Sequence, residues 1–233
     1  LWWVKLEQGW GHGPPKLSWH ELLMMEWHIT DAQSLALIDR ELGDRGDRSP
    51  AEYEMVRRVI YATADFDYAS CLSFSERSLS AGAAALAART TVIVDVPMVQ
   101  VGIAPAIQAT FANPVFCATE AIVRPQQALT KAAWGIQTLA RRYPEAIFLV
   151  GESQTALLAL IELIEAEEIN PALVIATPAG FVEVDTTKAR LRDAQVSHIC
   201  VEGRKGSPIV AIAAMGGLVD LAWQAYGPKA KGR

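Results

Sequence analysis

The sequence has few cysteines, a small net charge and no hydrophobic run long enough to cross a membrane. Its 233 residues include three cysteines, Cys71, Cys117 and Cys200, whose odd number and wide spacing fit neither a disulfide framework nor a zinc site. We therefore expect reduced thiols in a cytoplasmic protein. The net charge of -5 argues against a nucleic-acid binder, which usually carries a basic surface. Uncharged apolar stretches stay below about 18 residues, so no membrane span is expected.

Motifs for nucleotides, metals and activated serines are also missing. The sequence contains no G-x-G-x-x-G after a predicted strand, no G-x-x-x-x-G-K-[ST] and no G-x-S-x-G. Of the four histidines, His12, His20 and His28 lie in or near the first two dozen residues. Without H-E-x-x-H or paired cysteines, a catalytic metal is not expected. What is left is a site with few ionisable groups, namely a phenol, some aspartates and scattered cations.

Residues 1–24 differ in composition from the rest of the chain. They are rich in tryptophan, glycine and proline and show no regular hydrophobic period. They also lack the basic start and continuous apolar stretch of a signal peptide. We interpret them as an upstream extension or a cloning remnant, with a docking arm as the alternative, and we expect the natural chain to begin at Met25. Residues 25–228 are predicted to form one domain, because no linker or repeat divides them.

The hydrophobic pattern of this domain changes from helical to strand-like. Thr30 or Asp31 can cap a first helix that ends near Leu42, residues 49–52 form a capping box for a second, and an alanine-rich third is predicted at 76–88. Five short apolar runs follow at 91–96, 114–118, 146–151, 172–177 and 197–203, separated by helical stretches at about 97–104, 125–142, 154–167, 184–194 and 207–225. Such runs are typical of parallel strands covered on both faces. The pattern predicts a single α/β domain with a doubly wound, mainly parallel sheet of about five strands flanked by helices, preceded by N-terminal helices.

The segments after the strands contain the candidate binding residues, because ligands of such sheets bind beyond the carboxyl ends of the strands. The segment 203–207, GRKGS, combines glycines, two cations and a helix start, which fits a carboxylate or phosphate cradle. A solvated turn is the alternative. The segment 151–155, GESQT, is a second candidate, although Glu152 would repel an anion. Asp95 follows the first of these strands and can belong to a site or serve the structure.

One helix end combines a phenol, cations and carboxylates. Arg58 and Tyr61 lie three residues apart, so both side chains can lie on one helix face. Asp65 and Asp67 follow where that helix is expected to end. Taken alone, Tyr61 can be a half-buried structural tyrosine or a residue that takes part in chemistry.

Several of these segments together resemble the precorrin-8X methylmutases, also called cobalt-precorrin-8 methylmutases or precorrin isomerases. The resemblance covers about residues 27–226. It is carried by ITDAQSLALIDREL, SPAEYEMVRRVIYATADFDY, VIVDVPMVQVGI, ALVIATPAGFV with Lys188 after it, and EGRKGS before an apolar helix. The tyrosine in RVIYATADF is most similar to cyanobacterial members.

The resemblance implies an isomerase of cobalamin biosynthesis. Members of the family move a methyl group from C-11 to C-12 of precorrin-8X, or of its cobalt form, and give hydrobyrinate or cobyrinate. The implied fold is a single α/β domain, the implied assembly is a homodimer whose subunits shape the site jointly, and no cofactor is used. Since the methyl group never leaves the tetrapyrrole, the protein must hold one tautomer of the ring and place a proton donor beside it.

The resemblance also implies the site residues. Tyr61 stands where most members have the histidine that is taken as the general acid, and His28 is the alternative donor. Lys131 stands where many members have arginine, which keeps the charge but loses the bidentate fork. The expected substrate-binding residues, whose cations would bind the peripheral carboxylates and whose apolar side chains would contact the ring, are Ser34, Arg58, Thr63, Asp65, Asp95, Met98, Val99, Gly102, Lys131, Thr155, Gly180, Phe181, Val182, Arg204, Lys205, Gly206 and Ser207.

Two other functions stay open on the sequence. The altered acid position and Glu152 also fit a protein that binds a corrinoid intermediate and passes it on without isomerising it. A generic α/β enzyme acting on a small acid is the third interpretation. Repeated turnover would separate an isomerase from a carrier, and a site too small for a tetrapyrrole would favour the third interpretation.

Overall fold

The computed structural model describes residues 29–122 and 129–228, and a six-stranded sheet lies at its centre. The strands are β1 (Leu72–Phe74), β2 (Val92–Val94), β3 (Val115–Cys117), β4 (Ile147–Val150), β5 (Leu173–Ala176) and β6 (His198–Val201). Their order in the sheet is β1-β6-β5-β4-β2-β3. All neighbouring strands are parallel except β1 and β6. The predicted α/β fold with a mainly parallel sheet is confirmed.

β1 is the strand that the sequence did not predict. It is only three residues long and has Ser73 at its centre, so it lacks the continuous apolar run of a central strand. It pairs antiparallel with β6, with Leu72 opposite Val201 and Phe74 opposite Ile199. The sheet therefore has six strands instead of about five, and an antiparallel strand forms one of its edges.

Helices cover both faces of the sheet. In chain order they are α1 (Ile29–Leu42), α2 (Pro50–Thr63), α3 (Tyr68–Cys71), α4 (Ser78–Ala87), α5 (Pro97–Ala109), α6 (Lys131–Arg142), α7 (Gln154–Glu165), α8 (Val184–Asp193) and α9 (Pro208–Tyr226). Alternate strand residues enter two separate hydrophobic cores: Val92 and Val94 lie in the first, whereas Ile93 lies in the second. The first core is covered by α1, α2, α4, α5 and α9, and the second by α6, α7 and α8. The sheet is doubly wound, as predicted.

Some helices begin or end where the sequence predicts, and others do not. The Ser49 hydroxyl accepts a hydrogen bond from the Glu52 N–H (3.3 Å), and the Glu52 carboxylate accepts one from the Ser49 N–H (2.8 Å), so the predicted capping box starts α2. α5 continues past Pro105 to Ala109, five residues beyond its expected end. α6 begins only at Lys131, and residues 125–128 of the expected helix lie outside the described residues.

α9 has the length and the apolar composition of a membrane-spanning helix. Val210, Ala214, Leu218 and Ala222 on this helix are nevertheless buried in the first core. The helix packs against α2, α4 and α5. This burial is typical of the central helix of a globular domain.

The chain reverses its direction across the sheet next to β2. From β2 it crosses by α5 to β3, and from β3 it returns by α6 past β2 to β4. Because α5 covers the first core and α6 the second, the carboxyl ends of β2 and β4 lie where the two helix layers part. Ligands of doubly wound sheets bind in such a crevice.

Candidate active site

Asp95 joins the loop after β4 to the end of β2 by hydrogen bonds. Its buried carboxylate accepts hydrogen bonds from three backbone N–H groups of that loop, at Gly151 (3.1 Å), Glu152 (2.8 Å) and Ser153 (2.7 Å). The N–H of Val96 is a fourth donor, at 3.0 Å. Both carboxylate oxygens are thus engaged with the backbone. Asp95, expected among the substrate-binding residues, supports the crevice and does not face it.

The loop 203–207, between β6 and α9, packs against the backbone that follows β5. Gly206 has φ +146°, and a Cβ atom there would lie 2.1 Å from the carbonyl oxygen of Thr177. The Thr177 hydroxyl donates to the carbonyl of Ser207 (3.0 Å). Position 206 therefore requires glycine. The predicted close approach at this glycine is present, but its partner is protein backbone and not a ligand.

Lys188 of α8 holds the same loop from the protein interior. Its side chain is fully buried, and Nζ donates to the carbonyls of Gly203 and Lys205, both at 2.8 Å. Burial lowers the pKa of Lys188. This contact was not predicted, although the sequence carries a signal for it. Val184 and Leu191, four residues before and three after Lys188, mark the buried face of α8.

Lys205, in contrast, lies between two carboxylates from the segment that follows α2. Nζ is 2.7 Å from Asp65 Oδ2 and 2.5 Å from Asp67 Oδ2. The hydrogen bonds to both carboxylates raise the pKa of Lys205, and the bond from Lys205 is the main cause that lowers the pKa of Asp65. Lys205 and Asp65, both expected to bind substrate, bind each other here.

Tyr61 lies in the last turn of α2 with 40 % of its surface exposed. Its hydroxyl donates to Asp31 Oδ1 in the first turn of α1, at 2.5 Å. This hydrogen bond raises the pKa of Tyr61, and burial and the charge of Asp31 add to the rise. Asp65, four residues after Tyr61, contacts Lys205, so the segment that follows α2 is joined to the loop 203–207. The role of Asp31 was not predicted, because 30 residues separate it from its partner.

Arg58, expected to bind substrate, forms ion pairs with two carboxylates in the helix layer. Its Nε is 2.8 Å from Glu54 Oε1, and its Nη1 is 2.7 Å from Asp220 Oδ2 on α9. Only 15 % of its side chain is exposed. These ion pairs join α2 to α9, so Arg58 stabilises helix packing.

Three hydroxyl residues that were expected to bind substrate form hydrogen bonds within the protein. Thr63 donates to the carbonyl of Val59 (2.8 Å), and Ser34 donates to that of Thr30 (2.8 Å). The Thr155 hydroxyl is 2.7 Å from that of Thr130, which caps α6. This contact places the start of α7 beside the start of α6, where the exposed Lys131 lies. Two helix N-termini, which favour anions, therefore meet next to a cation.

Exposed apolar side chains follow β2 and β5, and one of them, Phe181, contacts the loop 203–207. Met98 at the start of α5 is 62 % exposed, and Phe181 and Val182 in the loop after β5 are 86 % and 74 % exposed. The Arg204 guanidinium lies 6.0 Å from the centre of the Phe181 ring, and the Gly180 N–H donates to the carbonyl of Arg204 (3.2 Å). The predicted apolar surface and the predicted Arg204 thus adjoin each other.

Two residues expected to bind substrate, Val99 and Gly102, lie on α5, where Val99 is buried and Gly102 is exposed. Val99 is fully buried in the first core. A Cβ atom at Gly102 would lie 2.3 Å from the side chain of Ile212, so this glycine allows α5 to approach α9 closely. On the exposed side of the same region, Val101 and Ile209 are apolar surface residues that were not predicted. His28, the alternative proton donor, lies outside the described residues.

The described site thus combines four kinds of chemical group at one end of the sheet. Arg204 and Lys131 supply exposed cations, and backbone N–H groups lie at the starts of α6, α7 and α9. Exposed apolar side chains adjoin Arg204. The phenol of Tyr61 is a group that can exchange a proton. Such an arrangement suits an organic molecule that has apolar faces and anionic arms.

Comparisons with known proteins agree with this chemistry. Residues 30–221 match the family model described as precorrin-8X methylmutase. The chain is 35% identical over 206 residues to the cobalt-precorrin-8 methylmutase of Synechocystis sp., covering 82% of this chain and 94% of the relative. It is 32% identical to that of Methanocaldococcus jannaschii, covering 79% and 87%. The crystal structure of a precorrin-8x methyl mutase from Thermus thermophilus aligns with TM-score 0.76 and 35% identity, covering 85% of this chain and 99% of that chain.

Proposed function

The chain belongs to the precorrin-8X methylmutase family, and we propose that it moves a methyl group from C-11 to C-12 of a corrin precursor in cobalamin biosynthesis. The observation that supports the proposal is the exposed Tyr61 in the last turn of α2, the helix whose following segment contacts the loop 203–207 through Asp65 and Lys205. A ring held by its carboxylates at this loop would lie within reach of a group that exchanges protons. The migrating methyl group stays on the ring, so the protein has to supply orientation and proton exchange.

The acid arms of the ring bind to the cations and N–H groups at the crevice. Arg204 and Lys131 are the exposed cations, and the hydroxyls of Ser34, Thr155 and Ser207 offer further hydrogen bonds. Each hydrogen bond between a charged group and a carboxylate contributes roughly 1.5–3 kcal/mol. Two of the three N–H donors of Lys205 go to Asp65 and Asp67, so an arm binds the third donor or replaces one of these carboxylates.

The faces of the ring lie against the exposed apolar side chains. Met98, Phe181 and Val182 are the predicted contacts, and Val101 and Ile209 extend the same kind of surface. Arg204 beside Phe181 combines a cation for an acid arm with an aromatic surface for the ring. This combination favours a large, flat polycarboxylate over a small acid.

Tyr61 is the proposed catalytic residue, and its phenol exchanges a proton with the ring. Tyr61→Phe should lower kcat on the order of 100-fold, which is the contribution of a positioned acid or base. The substitution removes the hydroxyl and keeps the aromatic ring of the side chain. The affinity for the product should stay nearly unchanged in a binding titration. Unchanged turnover in Tyr61→Phe together with lost turnover in His28→Ala would assign the proton exchange to His28.

The reaction itself is tested by incubation of purified protein with precorrin-8X. An isomerase converts a large molar excess of the yellow substrate to the orange-red product. Conversion that stops at one equivalent per site would show a carrier of corrinoid intermediates instead. Names of relatives include both cobalt-precorrin-8 and precorrin-8X methylmutases. Parallel assays with the cobalt-containing and the metal-free substrate therefore establish the preferred form.

We place the protein in the cytoplasm as a homodimer. The three cysteines are free thiols, as in a reducing compartment. The exposed apolar side chains around the crevice offer a surface for a second copy of the chain. Sedimentation of the full chain at micromolar concentration should give twice the monomer mass. A measured mass equal to that of the monomer would contradict the proposed homodimer.

A further inference from the structure

Glu152 places a negative charge in the loop between β4 and α7, at the carboxyl end of the sheet. Its side chain is exposed. In the described ranges 29–122 and 129–228, the Glu152 carboxylate forms no hydrogen bond and no ion pair. The exposed Lys131, which lies beside the start of α7, is thus not its partner there. A ligand that reaches this loop approaches a carboxylate that no described cation pairs with.

The backbone N–H groups around Glu152 are already engaged. Those of residues 151–153 donate to the buried carboxylate of Asp95, at 3.1, 2.8 and 2.7 Å. Each backbone N–H supplies one donor, so these three groups do not bind an acid arm as well. The loop after β4 therefore brings two carboxylates to the crevice, one beneath the backbone and one exposed, and it is a poor position for an anion.

The packing of Gly151 places this loop against the helices that border the crevice. A Cβ atom at Gly151 would lie 2.8 Å from Val99 Cγ2 at the start of α5 and 3.0 Å from the Cα atom of Pro208 at the start of α9. The sequence neighbours of these two contacts, Met98 and Ile209, are exposed apolar residues. The exposed glutamate that follows Gly151 therefore adjoins the apolar surface proposed for the ring.

The crevice carries opposite charges on the two sides of β5. Arg204 and Lys205 follow β6, whereas Glu152 follows β4. β5 lies between these two strands, so their carboxyl ends are about 10 Å apart at the usual spacing of neighbouring strands. The acid arms of a tetrapyrrole are at its periphery. A ring whose arms bind to the loop 203–207 therefore extends its centre toward β4 and the charge of Glu152.

We propose that Glu152 is a specificity-determining residue that favours the cobalt-containing form of the ring over the metal-free form. The inference rests on the proposed function. A corrin is a monoanionic ligand, so a divalent cobalt ion in place of the inner proton leaves the ring centre one charge unit more positive. The acid arms are the same in both forms, so contacts at the loop 203–207 do not distinguish them. The negative charge of Glu152 acts on the difference at the ring centre.

The test measures the dissociation constants of hydrobyrinate and of cobyrinate with divalent cobalt, by absorbance titration of the full chain at low salt. The ratio of the two constants is the preference for cobalt. Glu152→Gln keeps the size of the side chain and removes its charge, so it should lower the preference about 3- to 10-fold, the effect of one charge at about 10 Å in partly aqueous surroundings. Glu145→Gln is the matched control, because Glu145 is an exposed glutamate before the other end of β4. It should leave the preference within about twofold of wild type.

Salt and a reversed charge sharpen the test. The preference of the wild type should shrink as the salt concentration rises, whereas that of Glu152→Gln should stay nearly constant. Glu152→Lys should lower the preference below that of Glu152→Gln. Equal preferences in wild type and Glu152→Gln, or equal changes in both glutamine variants, would overturn the role of Glu152 and leave the proposed function intact. A wild type that binds neither ring would overturn the proposed function together with the inference.

Discussion

Two lysines hold the loop 203–207 in opposite ways. Lys188 lies beneath the loop, fully buried, and binds two backbone carbonyls. Lys205 lies in the loop with 42 % of its side chain exposed and binds the carboxylates of Asp65 and Asp67. Burial lowers the pKa of Lys188, whereas the two carboxylates raise the pKa of Lys205. Identical side chains thus serve as a fixed support and as an exchangeable partner.

The difference decides which contact a substrate can replace. The ammonium group of Lys188 contacts the carbonyls of Gly203 and Lys205 in the protein interior, so we expect this contact to persist when a ligand binds. The contacts of Lys205 are solvent-exposed ion pairs, which salt screens and another carboxylate can displace. We infer that Lys188 keeps the shape of the loop while Lys205 changes partners.

The largest expected effect is that of Lys188→Met. Methionine fills the space but leaves two carbonyls without their donor, and each unsatisfied acceptor costs about 1–3 kcal/mol. Urea unfolding should show a loss of roughly 2–4 kcal/mol in the free energy of unfolding, together with weaker substrate binding. Lys205→Met serves as the matched control and should destabilise the protein less. Equal losses in the two variants would remove the distinction between support and exchangeable partner.

The alkaline pH dependence of stability should separate the same two lysines. The pKa of Lys188 is lowered from 10.5 on folding, so the unfolded state binds more protons and stability rises with pH between the lowered value and 10.5. The pKa of Lys205 is raised, so its contribution is complete below 10.5 and is lost as the pH rises above that value. In urea unfolding between pH 8 and 11, the free energy of unfolding of Lys188→Met should lack the rise with pH. That of Lys205→Met should lack the fall with pH. A rise that persists in Lys188→Met would contradict the first assignment.

The smallest expected effect is that of Asp67→Asn, because 73 % of the Asp67 side chain is exposed. The substitution removes one of the two carboxylates that compete for Lys205. KM for the substrate should decrease, and its dependence on salt should increase as Lys205 binds substrate carboxylates more often. Asp193→Asn, at the end of α8, is a control of equal charge change. A KM that rises in Asp67→Asn would indicate that this aspartate orients Lys205 for the substrate.

The fold could be predicted from the sequence because most of its strands are apolar runs with both faces buried. β1 escaped prediction because its pairing with β6 comes from a partner more than 120 residues away and not from a local pattern. The region of the site could also be predicted, since it lies at the ends of parallel strands. The hydrogen-bond partners of its polar side chains could not be predicted. The carboxylate of Asp95 is engaged by N–H groups 56–58 residues further on, and that of Asp31 by a phenol 30 residues away.

Gly206 sets the spacing between the loops after β5 and β6, because its backbone lies where any side chain would overlap the Thr177 carbonyl. The floor of the crevice is therefore defined by main-chain atoms. A substitution of a side chain beside the crevice, such as Phe181 or Arg204, can alter which ring substituents fit without altering that spacing. Any side chain at position 206, by contrast, would force the two loops apart.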